Sequence, residues 1–165
     1  MDRARRTFVD RMGVVAESDG LSPIEGRLFG YLLLADEPQS LDELAAVLQV
    51  SKASVSTDAR RLVERGIIRR ALRPGDRKDY YELAPDFFAD LVRNRVKRWA
   101  ALQALASEVR GEAADLTPAV KQRLASVTEV SALVIARVND ALAEWDRQSR
   151  TRGVRGSMGG RRQPA

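Results

Sequence analysis

The sequence predicts a mainly α-helical chain with one small β-hairpin. Three observations predict it. Apolar residues recur at gaps of three and four along most of the chain. Serine and threonine stand where helices should start. One stretch with β-branched residues at its start runs into Pro74-Gly75 and returns from Lys78 to Leu83 as a second strand, which reads as a hairpin.

The elements follow in order. Residues 3–17 form a first helix, with Phe8, Met12 and Val15 at helical spacing. Ser22-Pro23-Ile24-Glu25 starts a second: serine accepts the Glu25 N–H, proline suits the first turn, and glutamate reaches back. Ile24, Leu28, Tyr31, Leu32 and Ala35 share its apolar face, and Asp36-Glu37-Pro38 ends it. Ser40-Leu41-Asp42-Glu43 is a second capping box, opening a short helix with Leu41, Leu44, Ala45 and Leu48 inward. Gln49-Val50 turns the chain. Ser51 caps a further helix that buries Val55, Ala59, Leu62 and Val63, and Gly66 fits its C-terminal cap.

Ile67 to Arg73 and Lys78 to Leu83 are the hairpin strands, joined by a tight turn at Pro74-Gly75. From Asp86 to about Arg110 the pattern is helical, with Phe88, Val92, Val96, Trp99, Leu102, Ala106 and Val109 in one stripe. Thr117-Pro118 starts a last long helix. Its stripe of Val120, Leu124, Val127, Ser131, Val134, Val138, Ala141 and Trp145 is heptad-like, and Val130, Leu133 and Leu142 widen it. So broad an apolar face requires a partner surface.

Composition narrows function. The 165 residues contain no Cys and no His, which excludes disulfide frameworks, Cys/His zinc sites and His-based catalytic triads. No carboxylate cluster or phosphate-cradling loop stands out, so the chain reads as no enzyme, with no cofactor and no metal. No apolar run nears the roughly 18 residues of a membrane span, and the N-terminus lacks a signal-peptide core. The expectation is a soluble cytoplasmic protein.

Net charge is +5, and its placement is informative. Residues 1–50 carry −4, residues 51–81 carry +5, residues 82–150 are balanced, and residues 151–165 carry +4. A bias towards Arg codons explains why 24 of the 28 basic residues are Arg, but not why they cluster. One internal segment and one tail hold the positive charge, which suits a polyanionic partner.

The order of elements over residues 22–83 is that of a winged helix-turn-helix, here with a long helical dimerisation region. A helix fits the major groove with its outer polar face on base edges. Opposite Val55, Ala59, Leu62 and Val63 fall Ser54, Thr57, Arg60 and Arg61. Ser51 and Lys52 lie at the helix N-terminus, where the macrodipole favours phosphate. The wing adds Arg73, Arg77 and Lys78. These nine residues are the candidate double-stranded DNA surface. The competing reading is a winged helix used as a protein-interaction module, which would not need this basic cluster.

Gly26 to Leu33, Ser40 to Ala45, Ser51 to Ser56 and Gly75-Asp76-Arg77-Lys78-Asp79-Tyr80-Tyr81 resemble the MarR superfamily, most closely its GbsR-type branch. The likeness runs without gaps from Gly20 to Phe88. It implies a bacterial homodimeric transcription regulator, commonly a repressor. It also implies a recognition helix from Ser51, phosphate or minor-groove contact by Arg77, and dimerisation through the flanking helices. A two-fold dimer would set its recognition helices roughly 34 Å apart on a palindromic site.

The resulting organisation is an N-terminal supporting or dimerising helix over residues 1–19, a winged domain over 20–85, a helical dimerisation region over 86–150 and a disordered basic tail over 151–165. Trp99 and Trp145 have two readings, a small-molecule effector pocket or core and interface packing; the second is commoner for tryptophans on apolar helix faces. Phe87 and Phe88 are expected to pack the junction of wing and long helix. The tail's Arg152, Arg155, Arg161 and Arg162 read as a solvated end, with added phosphate contact as the alternative.

Overall fold

The computed structural model describes residues 1–73, 75–76 and 78–158. Its elements run α1 (Arg3–Glu17), α2 (Pro23–Leu33), β1 (Gln39–Ser40), α3 (Leu41–Leu48), α4 (Lys52–Glu64), β2 (Ile68–Ala71), β3 (Tyr80–Leu83), α5 (Phe87–Glu112) and α6 (Pro118–Met158). They form two units, Met1–Asp90 and a second that starts at Leu91. The mainly helical architecture with a small wing is the predicted one.

Both capping boxes form. The Ser22 hydroxyl accepts the Glu25 N–H at 3.0 Å while Glu25 accepts the Ser22 N–H at 2.6 Å. Ser40 and Glu43 repeat the exchange at 3.3 and 2.7 Å. A lost cap of this kind costs about 1 kcal/mol.

The first helix differs from expectation. Its buried residues are Val9, Gly13 and Ala16, while Phe8 and Val15 are exposed. The cause is a close crossing with α2. A Cβ on Gly26 would stand 2.5 Å from both the Met12 carbonyl oxygen and the Ala16 Cβ. Helices this close meet through their small residues, so α1 presents Gly13 and Ala16 together with Val9, and Phe8 and Val15 face outward.

Leu28, Leu44, Leu48, Val55, Leu62, Ile67 and Ile68 form the core of the first unit. Gln49 caps α3 with φ 55°, a left-handed conformation unusual outside glycine. The Val50 N–H closes that turn on the Ala45 carbonyl at 3.2 Å. Gly66, at φ +72°, ends α4, and the Ile67 N–H returns to the Leu62 carbonyl at 2.9 Å.

The sheet is antiparallel in the order β1-β3-β2. Both long strands are shorter than predicted, and β1 was not predicted. Asp76 accepts the Lys78 N–H at 3.0 Å and the Tyr80 hydroxyl at 2.7 Å, which folds the tip onto itself instead of extending the ladder. Gly75 has the expected positive φ; Pro74 lies outside the described residues. Arg69 and Glu82, paired in register, are bridged at 2.6 Å. Tyr80 and Tyr81 point to opposite faces of β3 and are both buried, because the guanidinium of Arg73 covers Tyr80.

Phe87 packs edge-on against Phe29, with centroids 5.4 Å apart. Phe88 does not follow it inward: it is exposed and touches only the edge of Phe87 among the aromatic rings described. One helical step of about 100° carries it off the buried face.

In the second unit Arg93 bridges to Asp146 at 2.6 Å, and Gln103 donates to the Thr128 carbonyl at 3.4 Å, so α5 and α6 run antiparallel. The predicted α6 stripe is half-buried from Val120 to Val138, while Val130 and Leu133 stand exposed. The helix continues to Met158, past the expected break at residue 150. Extending an existing helix adds a hydrogen bond per residue, so Gly153 and Gly156 weaken it at about 1 kcal/mol each without ending it. The 41 residues of α6 span about 60 Å.

Candidate nucleic-acid interface

The α3-turn-α4 unit is set from both ends. The Ser40 box fixes the entry to α3, Gln49 turns the chain, and Ser51 caps α4. The Ser51 hydroxyl accepts the Ser54 N–H at 3.1 Å and shares a 2.8 Å hydrogen bond with the Ser54 hydroxyl. Burial of Val55, Asp58, Ala59 and Leu62 turns Ala53, Thr57, Arg60 and Glu64 squarely outward. Ser54 and Arg61 lie on the flank of that face, less central than the sequence suggested.

The nine candidate residues fall into distinct states. Arg60 is exposed and has no ion pair among the described residues. Thr57 is exposed, with its hydroxyl donated to the Ala53 carbonyl at 3.1 Å. Lys78 is exposed at the wing, and its ammonium has no ion pair among the described residues. The other described basic residues are engaged. Lys52 is bridged to Asp42 at 2.7 Å, and this pairing holds the Asp42 carboxyl below its usual range. Arg61 is bridged to Asp58 at 3.3 Å. Arg73 donates to Glu37 at 2.9 Å and to the Pro38 carbonyl at 3.3 Å, with its guanidinium 4.6 Å above the Tyr80 ring. Arg77, Arg161 and Arg162 lie outside the described residues, as do the side chains of Arg152 and Arg155.

The engaged cations expose what sequence reasoning missed. The Asp58 side chain is 8% exposed, against 53% for its partner Arg61. It also accepts from the Ser22 hydroxyl at 3.3 Å, so Arg61 is tied to the foot of α2. Burial first, and the nearby Glu25 charge second, push the Asp58 carboxyl above its ordinary value. The Asp58–Arg61 spacing of three was a readable signal. The Asp42–Lys52 and Glu37–Arg73 pairs join distant positions and had none. Asp76 organises the wing, and its hydrogen bond raises the Tyr80 phenol.

A cavity of about 430 Å³ lies at the wing root, walled by Tyr31, Leu34, Ala35 and Val47. Neither Trp99 nor Trp145 lines it. Trp99 is half-buried on α5, and Trp145 is 44% exposed on α6. Among the described residues no cluster of carboxylates could hold a metal ion, and no helix is long and apolar enough to cross a membrane.

Comparison with known proteins gives the family of the chain. A family model described as MarR family matches residues 19–79, which run from before α2 to just short of β3. The HTH-type transcriptional regulator MmpR5 of Mycobacterium tuberculosis is 38% identical over 143 residues, 86% of this chain and 87% of that one. The chain belongs to the MarR family. It is a DNA-binding transcriptional regulator, and the family's relatives are regulators rather than enzymes.

Other likenesses to transcriptional regulators agree. A solved structure described as a transcriptional regulator superposes with a TM-score of 0.72 at 37% identity, covering 87% of this chain and 99% of the other. The HTH-type transcriptional repressor GbsR of Bacillus subtilis is 27% identical over 99 residues, 60% of this chain and 54% of that one. The likeness to GbsR is thus lower and shorter than that to MmpR5, and the family rather than the GbsR-type branch is what the matches establish.

Proposed function

We propose that this MarR-family regulator is a homodimeric repressor that docks α4 of each protomer into successive major grooves of a palindromic operator. The outward face of α4 carries the reading: Arg60 stands uncommitted beside Thr57, behind a Ser51-capped N-terminus that favours phosphate. Ser54 and Lys52 flank it. Lys78 and Arg77 supply backbone contacts from the wing. Arg61 and Arg73 join the surface by exchanging Asp58 and Glu37 for DNA phosphate or base edges. Such exchange is inexpensive for Arg73, whose partner carboxylate is largely solvated.

Dimerisation is assigned to the second unit. Leu102, Leu105 and Val109 on α5 and Val130, Leu133 and Trp145 on α6 are exposed apolar side chains on long helices. We assign the tryptophans to that interface rather than to an effector pocket. Repression follows from occupying a promoter in the cytoplasm. The name of the Bacillus subtilis relative GbsR, a transcriptional repressor, supports repression and placement beside the GbsR-type branch.

The test is a fluorescence-anisotropy titration against DNA from upstream of the protein's own gene, with a scrambled duplex, at two salt concentrations. Tight binding to the upstream duplex over the scramble supports an autoregulating repressor. Equal binding that salt abolishes leaves nonspecific electrostatics only. Absence of binding at low salt would favour the protein-interaction reading.

A further inference from the structure

Two carboxylates, Glu25 on α2 and Asp58 on α4, are buried beneath the proposed DNA surface. Ser22 hydrogen-bonds to both. Glu25 accepts its N–H through Oε2 at 2.6 Å, and Asp58 accepts its hydroxyl at 3.3 Å. The Glu25 Oε1 is buried and has no hydrogen-bond partner among the described residues. Asp58 also accepts from Arg61 at 3.3 Å. Arg61 is thus the one cation paired with these two carboxylates among the described residues, and its own side chain is half in solvent.

The charged groups of the elements packed against α4 are turned elsewhere. Arg27 of α2 reaches Asp10 and the Leu48 carbonyl. In α3, Asp42 holds Lys52, and Glu43 accepts the Ser40 N–H. Arg69 of β2 holds Glu82, and Arg70 is exposed. On α4 itself Arg60 and Glu64 face outward, and Arg65 reaches the carbonyl of Gly20, next in sequence to Asp19, at 3.5 Å.

Arg61 cannot leave for DNA without a consequence for the pair. A buried carboxylate stripped of its cation is either destabilised by its uncompensated charge or takes up a proton. Burial and the Glu25 charge raise the Asp58 carboxyl, against Ser22 and Arg61; without Arg61, only Ser22 opposes them. We propose that DNA binding loads a proton from solvent onto the Glu25–Asp58 pair: Arg61 moves from Asp58 to a phosphate, and the proton takes its place. One positive charge leaves the pair and one arrives. The proposal rests on the assignment of Arg61 to the DNA surface. Asp58 then titrates higher in the complex than in the free protein. Between the two values binding takes up a proton, so affinity rises as pH falls through that window. The chain has no histidine, so no side chain at its ordinary value titrates between about pH 5 and pH 8. Proton uptake there belongs to a displaced group such as Asp58.

The test titrates the more tightly bound duplex at constant ionic strength from about pH 7 to about pH 5. Calorimetry in two buffers of different ionisation enthalpy counts the protons. Parent affinity should rise about threefold to tenfold over that range, with uptake of up to about one proton per protomer. Asp58→Asn should lose both the rise and the uptake. Arg61→Ala should lose them too, because its Asp58 has no cation to exchange. Glu25→Gln should show a smaller rise, since glutamine keeps the cap but removes the charge that raises Asp58. Circular dichroism checks that each variant is folded. A parent affinity independent of pH, or a rise that persists in Asp58→Asn or Arg61→Ala, would overturn the proposal and leave DNA binding standing. A parent that binds neither the upstream nor the scrambled duplex would overturn the DNA reading, and the proposal with it.

Discussion

Arg60 and Arg61 are neighbours in sequence with different tasks. Arg60 has no ion pair among the described residues, whereas Arg61 neutralises the Asp58 carboxylate on the buried face of α4 until, in the proposed complex, DNA takes its place. Arg61→Ala leaves Asp58 with Ser22 as its one remaining hydrogen-bond partner among the described residues. The loss should be about 1 kcal/mol of unfolding free energy, below that of a fully buried pair because Arg61 is half in solvent. Asp58→Asn acts in the other direction. The Asp58 carboxyl is raised on folding by burial and by Glu25. Between the ordinary aspartate value and that higher one, the folded chain holds a proton that the unfolded chain has lost. This group's contribution to stability therefore falls as pH rises through that window. Urea unfolding should find Asp58→Asn more stable than the parent at neutral pH, with the gain vanishing as pH falls to the ordinary aspartate range. Glu43 has the opposite sign. Its carboxyl is lowered by the Ser40 amide, so its contribution is present above the ordinary glutamate value and lost as pH falls through the folded one. A parent curve that exceeded Asp58→Asn throughout would show that the Arg61 bridge outweighs burial.

At the scale of elements, the α1–α2 crossing is the tightest contact. Gly26 lets α2 touch the α1 backbone, and the nearest obstacles to a new methyl include the Met12 carbonyl oxygen at 2.5 Å. Gly26→Ala should cost about 1–3 kcal/mol by urea unfolding, despite alanine's better helix propensity. A stabilised variant would mean that the helices part readily. The same crossing explains where the sequence was legible. The Ser22 and Ser40 boxes, Gly66 and the Thr117-Pro118 start are local chemistry, complete within four residues, and each appears as read. The facing of α1 is tertiary. Phe8 and Val15 have helical spacing and look like a core stripe, but the glycines of a partner helix decide which side turns in. β1 is two residues long, so it offers no alternation to read. At the proposed DNA surface the outward face of α4 was legible from periodicity. The tethering of Lys52 and Arg73 was not, because their partners are brought near only by the fold.

For the whole molecule, two facts of composition frame the account. Positive charge is concentrated in residues 51–81, which build α4 and the wing. A set of exposed apolar side chains, Leu102, Leu105, Val109, Val130, Leu133 and Trp145, lies on α5 and α6 in the second unit. The proposed dimer joins them, since one two-fold axis would present two recognition helices to one face of DNA. Leu133→Glu puts a charge on exposed apolar surface and should leave helicity intact. Sedimentation velocity at micromolar concentration should move from dimer towards monomer, and operator affinity should fall with it. A variant that stays dimeric would remove this part of α6 from the interface.

The central claim is that the outward face of α4 reads DNA, with Arg60 as its principal cation. Arg60→Ala tests it most directly, titrated against the preferred duplex and a scrambled one at the same salt. The account predicts a loss of about 1–3 kcal/mol on the preferred duplex and a smaller loss on the scramble, so that selectivity collapses. Equal affinity of parent and variant for the preferred duplex would contradict it and move the DNA surface away from α4.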